Sequence, residues 1–128
     1  MAEPARQEDM MHVSEFLRFT QTRPDEEKWE LVDGVPVFNA SAVRHHQRII
    51  TSLLPRLEAL EILHKGYWET IPGIGARVSD YSLPVPDVMI VPPGAGDAHF
   101  CDDMHVAFEV LSPPNKKRDL IWKRKAYV

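Results

Sequence analysis

Between residues 42 and 63 apolar side chains recur every three or four positions, and no other feature of the chain limits its fold as much. Ile49, Ile50, Leu53, Leu54, Leu57, Leu60 and Leu63 fall on one stripe of a helix. A stripe of this kind has to be covered by another apolar layer. Ser41 stands where an N-cap belongs, and Lys65-Gly66 ends the pattern. Pro55 lies inside it. A proline ring removes one backbone hydrogen bond and crowds the preceding turn, at a cost of roughly 3 kcal/mol. The expectation is a kink at Pro55 or two shorter helices.

The layer that covers the helix is expected to be a sheet. Before the helix, Trp29 to Phe38 reads as a β-hairpin turned at Asp33-Gly34, with Pro36 marking its second strand as an edge. After it come strand candidates at Tyr67–Ile71, Gly75–Val78, Asp87–Val91 and His105–Leu111, separated by Pro72-Gly73, Pro86, Pro92-Pro93 and Ser112-Pro113-Pro114-Asn115. The stretch Ala98–Asp103 reads as loop. Ser14 is placed to cap a short helix carrying Phe16, Leu17 and Phe19 that stops before Pro24, and a last helix is expected from near Lys117 to the end. Residues 1–11 read as a loose N-terminus. The order of hairpin, long helix, run of strands and helix gives an α+β class, with a mixed sheet flanked by helices. At 128 residues the chain is expected to be a single domain.

Composition narrows the setting. Apolar residues make up 44% and charged residues 27%, which suits a packed globular chain. The lone cysteine, Cys101, cannot form an internal disulfide, so a reducing, cytoplasmic setting is expected. Met1 to Met11 are polar and charged, without the apolar core of a signal peptide. No apolar run reaches membrane-spanning length, so no membrane partner is expected. The net charge of −4 runs against the basic surplus usual in nucleic-acid binders. Local charge differs, because Lys116, Lys117, Arg118, Lys123, Arg124 and Lys125 crowd the C-terminal stretch against Asp119 alone.

Two acids stand out. Asp87 opens Val88-Met89-Ile90-Val91, and Glu109 lies within Val106-Ala107-Phe108-Glu109-Val110-Leu111. A carboxylate among such neighbours is costly unless it is paired or binds a metal. If both strands are central neighbours, the two carboxylates converge at one edge of the sheet, where two oxygen ligands and water suit Mg²⁺. The simpler alternative puts each acid in water at a strand end, or against an arginine such as Arg77. His45 and His46 point in different directions on a helix and form no metal pair by themselves. There is no HExxH, P-loop, GxSxG or zinc spacing of Cys and His.

Four segments, in order, resemble the Uma2 family (DUF820). They are Trp29-Glu30-Leu31-Val32-Asp33-Gly34, His46-Gln47-Arg48-Ile49-Ile50, Pro86-Asp87-Val88-Met89-Ile90-Val91, and Phe108-Glu109-Val110-Leu111-Ser112-Pro113 continuing into Arg118-Asp119-Leu120 and Lys123-Arg124-Lys125-Ala126-Tyr127. Any one alone is weak, but the four together span nearly the whole chain. The resemblance implies a restriction-endonuclease-like core of the PD-(D/E)XK nuclease class and Mg²⁺- or Mn²⁺-dependent hydrolysis of DNA. It implies Asp87 and Glu109 as metal ligands, with the backbone carbonyl of Val110. In the standard motif a lysine follows the acid by two residues. That place holds Leu111 here, and the resemblance moves the lysine to Lys123 on the next helix. Glu30 is implied as a further catalytic acid near metal or water, against the plainer reading of a strand-face acid. His46, read from its place at a helix start, is a candidate to contact a substrate phosphate or to steady a carboxylate, the alternative being a surface histidine. Family members continue into a further strand with a Tyr-Trp run, so a C-terminally truncated domain lacking that strand is expected. A homodimer would be one way to complete it. The alternative is a non-catalytic relative that binds nucleic acid or protein.

Overall fold

The computed structural model describes residues 9–39, 43–94, 96–111, 121, 123–125 and 127. The expected Ser41 cap, the break at Ser112–Asn115, the helix start near Lys117 and most of the loose N-terminus lie outside them.

The hairpin forms as its turn chemistry dictates. Strands β1 (Lys28–Val32) and β2 (Val35–Asn39) pair antiparallel, with Val32 opposite Val35 and Glu30 opposite Val37. Asp33 and Gly34 both have positive φ, 47° and 76°, as the tight right-twisting two-residue turn requires. The turn is anchored from outside: Gly34 N–H donates to Tyr81 O at 2.7 Å, and Met11 N–H donates to Gly34 O at 3.0 Å. Among the described residues β2 has no second neighbour, so Pro36 forfeits no ladder bond. On the other flank of β1, Leu31 and Leu83 exchange backbone hydrogen bonds.

Helix α1 (Val13–Gln21) packs Val13 and Phe16 against Leu31, Leu83 and Phe100. Its cap is His12, not Ser14. The His12 ring Nδ1 accepts the Ser14 backbone N–H at 3.0 Å, doing what a capping oxygen does.

Helix α2 (Arg44–Leu63) runs through Pro55 as one element, and its N-cap is Val43, without a side-chain cap. Pro55, Thr51 and Ser52 are all exposed. The hydrogen bond lost to the ring, at the Thr51 carbonyl, is therefore lost on the solvent side, where water can replace it. The packing face is narrower than the stripe suggests. Leu57 is buried and Ile50, Leu53 and Leu54 are half-buried, whereas Ile49 and Leu60 are exposed. Leu53 and Leu57 thus face their own chain, which leaves no support for a helix-mediated homodimer. Arg48, Arg56 and Glu58 face solvent as expected.

Among the described residues the strands after α2 form two small sheets, one antiparallel and one parallel. Strands β3 (Glu69–Pro72), β5 (Val88–Val91) and β7 (Val106–Phe108) make an antiparallel sheet in the order β3-β5-β7. Strands β4 (Gly75–Ala76) and β6 (Phe100–Cys101) make a parallel pair. β5 is central as expected. β7 is not, since among the described residues it pairs only with β5. Met89, Val91, Ala76 and Cys101 bury together between the two sheets, with Ile71 and Ile74 against them. Cys101 is thus a core residue on a strand, not part of a loop, and burial pushes its thiol pKa up. Helices with antiparallel and parallel sheets make the fold α+β, consistent with a restriction-endonuclease-like core.

Gly34 supplies a test of this packing. A Cβ there would lie 2.5 Å from the Met10 Cβ and 2.7 Å from its Cα, at a φ of +76°. Gly66 has a similar φ of +70° but nothing within 4 Å. Left-handed backbone costs an L-residue roughly 1–2 kcal/mol on its own. Gly66→Ala should lose about that much stability in urea unfolding, and Gly34→Ala clearly more. Equal losses would mean that the N-terminal segment does not pack on the turn.

Candidate functional site

The antiparallel register brings the two strand-borne acids together. Val88 stands opposite Phe108, so one further step sets Asp87 beside Glu109 at the same rim of the sheet. The paired ladder stops there, leaving both carboxylates at its end. Asp87 Oδ2 accepts the Val110 backbone N–H at 2.6 Å and lies 3.1 Å from His46 Nε2, so β7's continuation and the start of α2 meet on one oxygen. Burial pushes the Glu109 carboxyl pKa up. The positive charge and hydrogen bond of Lys123 oppose that, as does a hydrogen bond from Tyr127, while the Asp87 charge adds to the rise.

Lys123 occupies the centre. Its ammonium lies 2.7 Å from Glu109 Oε1 and 2.8 Å from Glu30 Oε1, and donates to the Val85 carbonyl at 3.1 Å. An ammonium has three N–H bonds, and here all three are engaged within the chain. Its side chain is only 14% exposed. Burial alone would pull its pKa down, but the charges and hydrogen bonds of Glu30 and Glu109 outweigh that and the net shift is upward. Lys123 is therefore charged. Tyr127, one helical turn further on, donates to Glu109 Oε1 at 2.6 Å. Burial and then the Glu109 charge drive its phenol pKa far up, so it stays a donor.

Glu30 is 3% exposed and fully engaged. Besides Lys123, its Oε1 accepts the Val85 N–H at 2.6 Å, and its Oε2 accepts Asn39 Nδ2 at 2.7 Å. Glu30 thus anchors the lysine, and neither oxygen lacks a donor.

The structure gathers Asp87, Glu109, Lys123, Glu30, His46 and Val110 into one cluster. Val110 enters it through its N–H, bonded to Asp87. Arg77 belongs elsewhere: it pairs in two-pronged fashion with Asp102 and lies over the Phe100 ring. His45 is exposed. Leu111, in the usual lysine position, is 67% exposed and is not among the cluster's contacts. Sequence reasoning missed Asn39. The available signal was its position two residues beyond Val37, the cross-strand partner of Glu30, which puts Asn39 on the same face of the hairpin within diagonal reach.

Among the described residues no group of three or more His, Cys, Asp or Glu side chains could hold a metal ion. The pair Asp87 and Glu109 is an all-oxygen donor set. It suits a hard cation such as Mg²⁺, which commonly takes only one or two carboxylates and completes its shell with water and phosphate. No helix among the described residues is long and apolar enough to cross a membrane.

No curated protein matches the chain. A family model does: Uma2, described as "Putative restriction endonuclease", matches residues 13–128. That span takes in α1, α2, the strands β1 to β7 and all the residues of the cluster, so the chain belongs to the Uma2 family.

Proposed function

We propose that the protein is a metal-dependent endonuclease that hydrolyses phosphodiester bonds in DNA, using Mg²⁺ or Mn²⁺, in a cytoplasmic setting. The observation that carries this reading is the meeting of Asp87 and Glu109 at one sheet rim with a charged lysine bonded to one of them. Family membership supports the reaction class, since restriction-endonuclease-like proteins typically use divalent metals.

Asp87 and Glu109 would hold the cation, with the Val110 carbonyl as a further oxygen ligand. When bound, the cation supplies Lewis-acid polarisation of the phosphoryl group and a more acidic water. Lys123 supplies positive charge where negative charge develops on the phosphorane, and it orients the attacking water. To reach substrate it must exchange one of its three internal bonds. The Val85 carbonyl contact is the longest of the three and involves no charged partner, so it is the one exchanged at least cost. Glu30, itself held by Asn39 and the Val85 N–H, keeps Lys123 charged and in place.

One observation favours a second reading, a non-catalytic relative that binds nucleic acid or protein. All three Lys123 donors are spent inside the chain, as in a structural ion cluster.

Cleavage assays separate the two. With Mg²⁺ or Mn²⁺ the protein should nick or cut DNA, and Asp87→Ala, Glu109→Ala and added EDTA should each abolish cutting. Wild type inert with both metals on single- and double-stranded DNA would support the non-catalytic reading. Lys123→Ala should slow cutting by about 10²–10³-fold, the usual loss for one charge-stabilising donor. It also strands two largely buried carboxylates, so it should lower unfolding stability by about 3 kcal/mol. Leu111→Ala should leave the cutting rate unchanged.

A further inference from the structure

Each of the two rim carboxylates is held through one oxygen only. Asp87 Oδ2 takes two donors, the Val110 N–H and His46 Nε2. Glu109 Oε1 also takes two, the Lys123 ammonium and the Tyr127 hydroxyl. Among the described residues, Asp87 Oδ1 and Glu109 Oε2 accept no hydrogen bond. Both side chains are 19% exposed, and neither oxygen is a buried unpaired atom, so water or a cation can reach them.

The His46 ring has nothing left for a substrate. Its side chain is 12% exposed. Nε2 is on Asp87, and Nδ1 is buried without a partner. A carboxylate only accepts, so Nε2 is the donor to Asp87 Oδ2 and is spent there. Nδ1, being buried, is out of reach of a phosphate. Tyr127 presents the same logic on the other acid: its hydroxyl is spent on Glu109 at 2.6 Å.

We infer that His46 and Tyr127 are positioning residues, which saturate Asp87 Oδ2 and Glu109 Oε1 and so leave Oδ1 and Oε2 as the oxygen pair that takes a divalent cation. This rests on the metal-carboxylate reading above and assigns both residues a task apart from DNA contact. Ligating carboxylates commonly need such outer partners, whose loss costs roughly 10–100-fold in metal affinity or activity.

The test uses Mn²⁺ alone as the probe, without DNA, by electron paramagnetic resonance titration of the full chain. DNA affinity is measured separately in EDTA by fluorescence anisotropy. Tyr127→Phe removes only the hydroxyl, and His46→Phe only the ring nitrogens. Both should weaken Mn²⁺ binding by roughly 10–100-fold, with DNA affinity in EDTA unchanged. His46→Gln, which can return an N–H toward Asp87, should recover part of the loss and guards against a folding defect in the phenylalanine variant. The inference is overturned if Asp87→Ala abolishes Mn²⁺ binding while His46→Phe and Tyr127→Phe bind as wild type does. It is equally overturned if His46→Phe weakens DNA binding and leaves Mn²⁺ affinity intact. Absence of Mn²⁺ binding by wild type would instead remove the metal-carboxylate reading itself, and this inference with it.

Discussion

The Lys123 ammonium sits where three separate parts of the chain converge. It bonds Glu30 from the first hairpin, Glu109 beyond the last strand of the three-stranded sheet, and the Val85 carbonyl from the segment leading into the central strand. An ammonium this deeply placed needs compensation for the water it has lost, and two carboxylates give it. The same contacts decide the state of their neighbours. They oppose the burial that pushes Glu109 toward its neutral form, and they keep Lys123 charged. The site is thus built around one desolvated cation, on elements that backbone pairing also brings together.

That arrangement serves both structure and chemistry, and it sets them in tension. Three satisfied N–H bonds make Lys123 a good strut, and a strut does not reach substrate. A catalytic lysine must be able to trade one of those bonds, and the neutral carbonyl of Val85 is the cheapest to release. Glu30 shows the same economy of role. The acid was expected near metal or water, and its oxygens are filled by Asn39, Val85 and Lys123.

How much of this could be read from sequence depended on whether the signal was local. The hairpin turn at Asp33-Gly34 was legible because positive φ at two successive residues demands that chemistry. The long helix and the central strand were legible from periodicity and from proline punctuation. Asp87 and Glu109 were legible because charge stood where apolar side chains surround it. The rest is non-local. Phe100-Cys101 is too short to show alternation and becomes a strand only because Gly75-Ala76 lies alongside. His12 caps the first helix with a ring nitrogen, outside the usual set of capping oxygens. The unbroken passage of the helix through Pro55 depends on that proline facing solvent, which pattern alone does not reveal. Tyr127 shared a helix face with Lys123, but its partner Glu109 lies 18 residues away, and family resemblance brought Lys123 forward where spacing did not.

The central claim is that the Asp87 and Glu109 carboxylates share a divalent cation. The most direct measurement is a crystal structure of the protein grown with Mn²⁺, with anomalous data locating the metal. The account predicts a peak between the two side chains, roughly 2.0–2.2 Å from an oxygen of each, in the range expected for small hard divalent cations. A well-ordered site at which Mn²⁺ is absent, with Lys123 still holding Glu30 and Glu109, would contradict it.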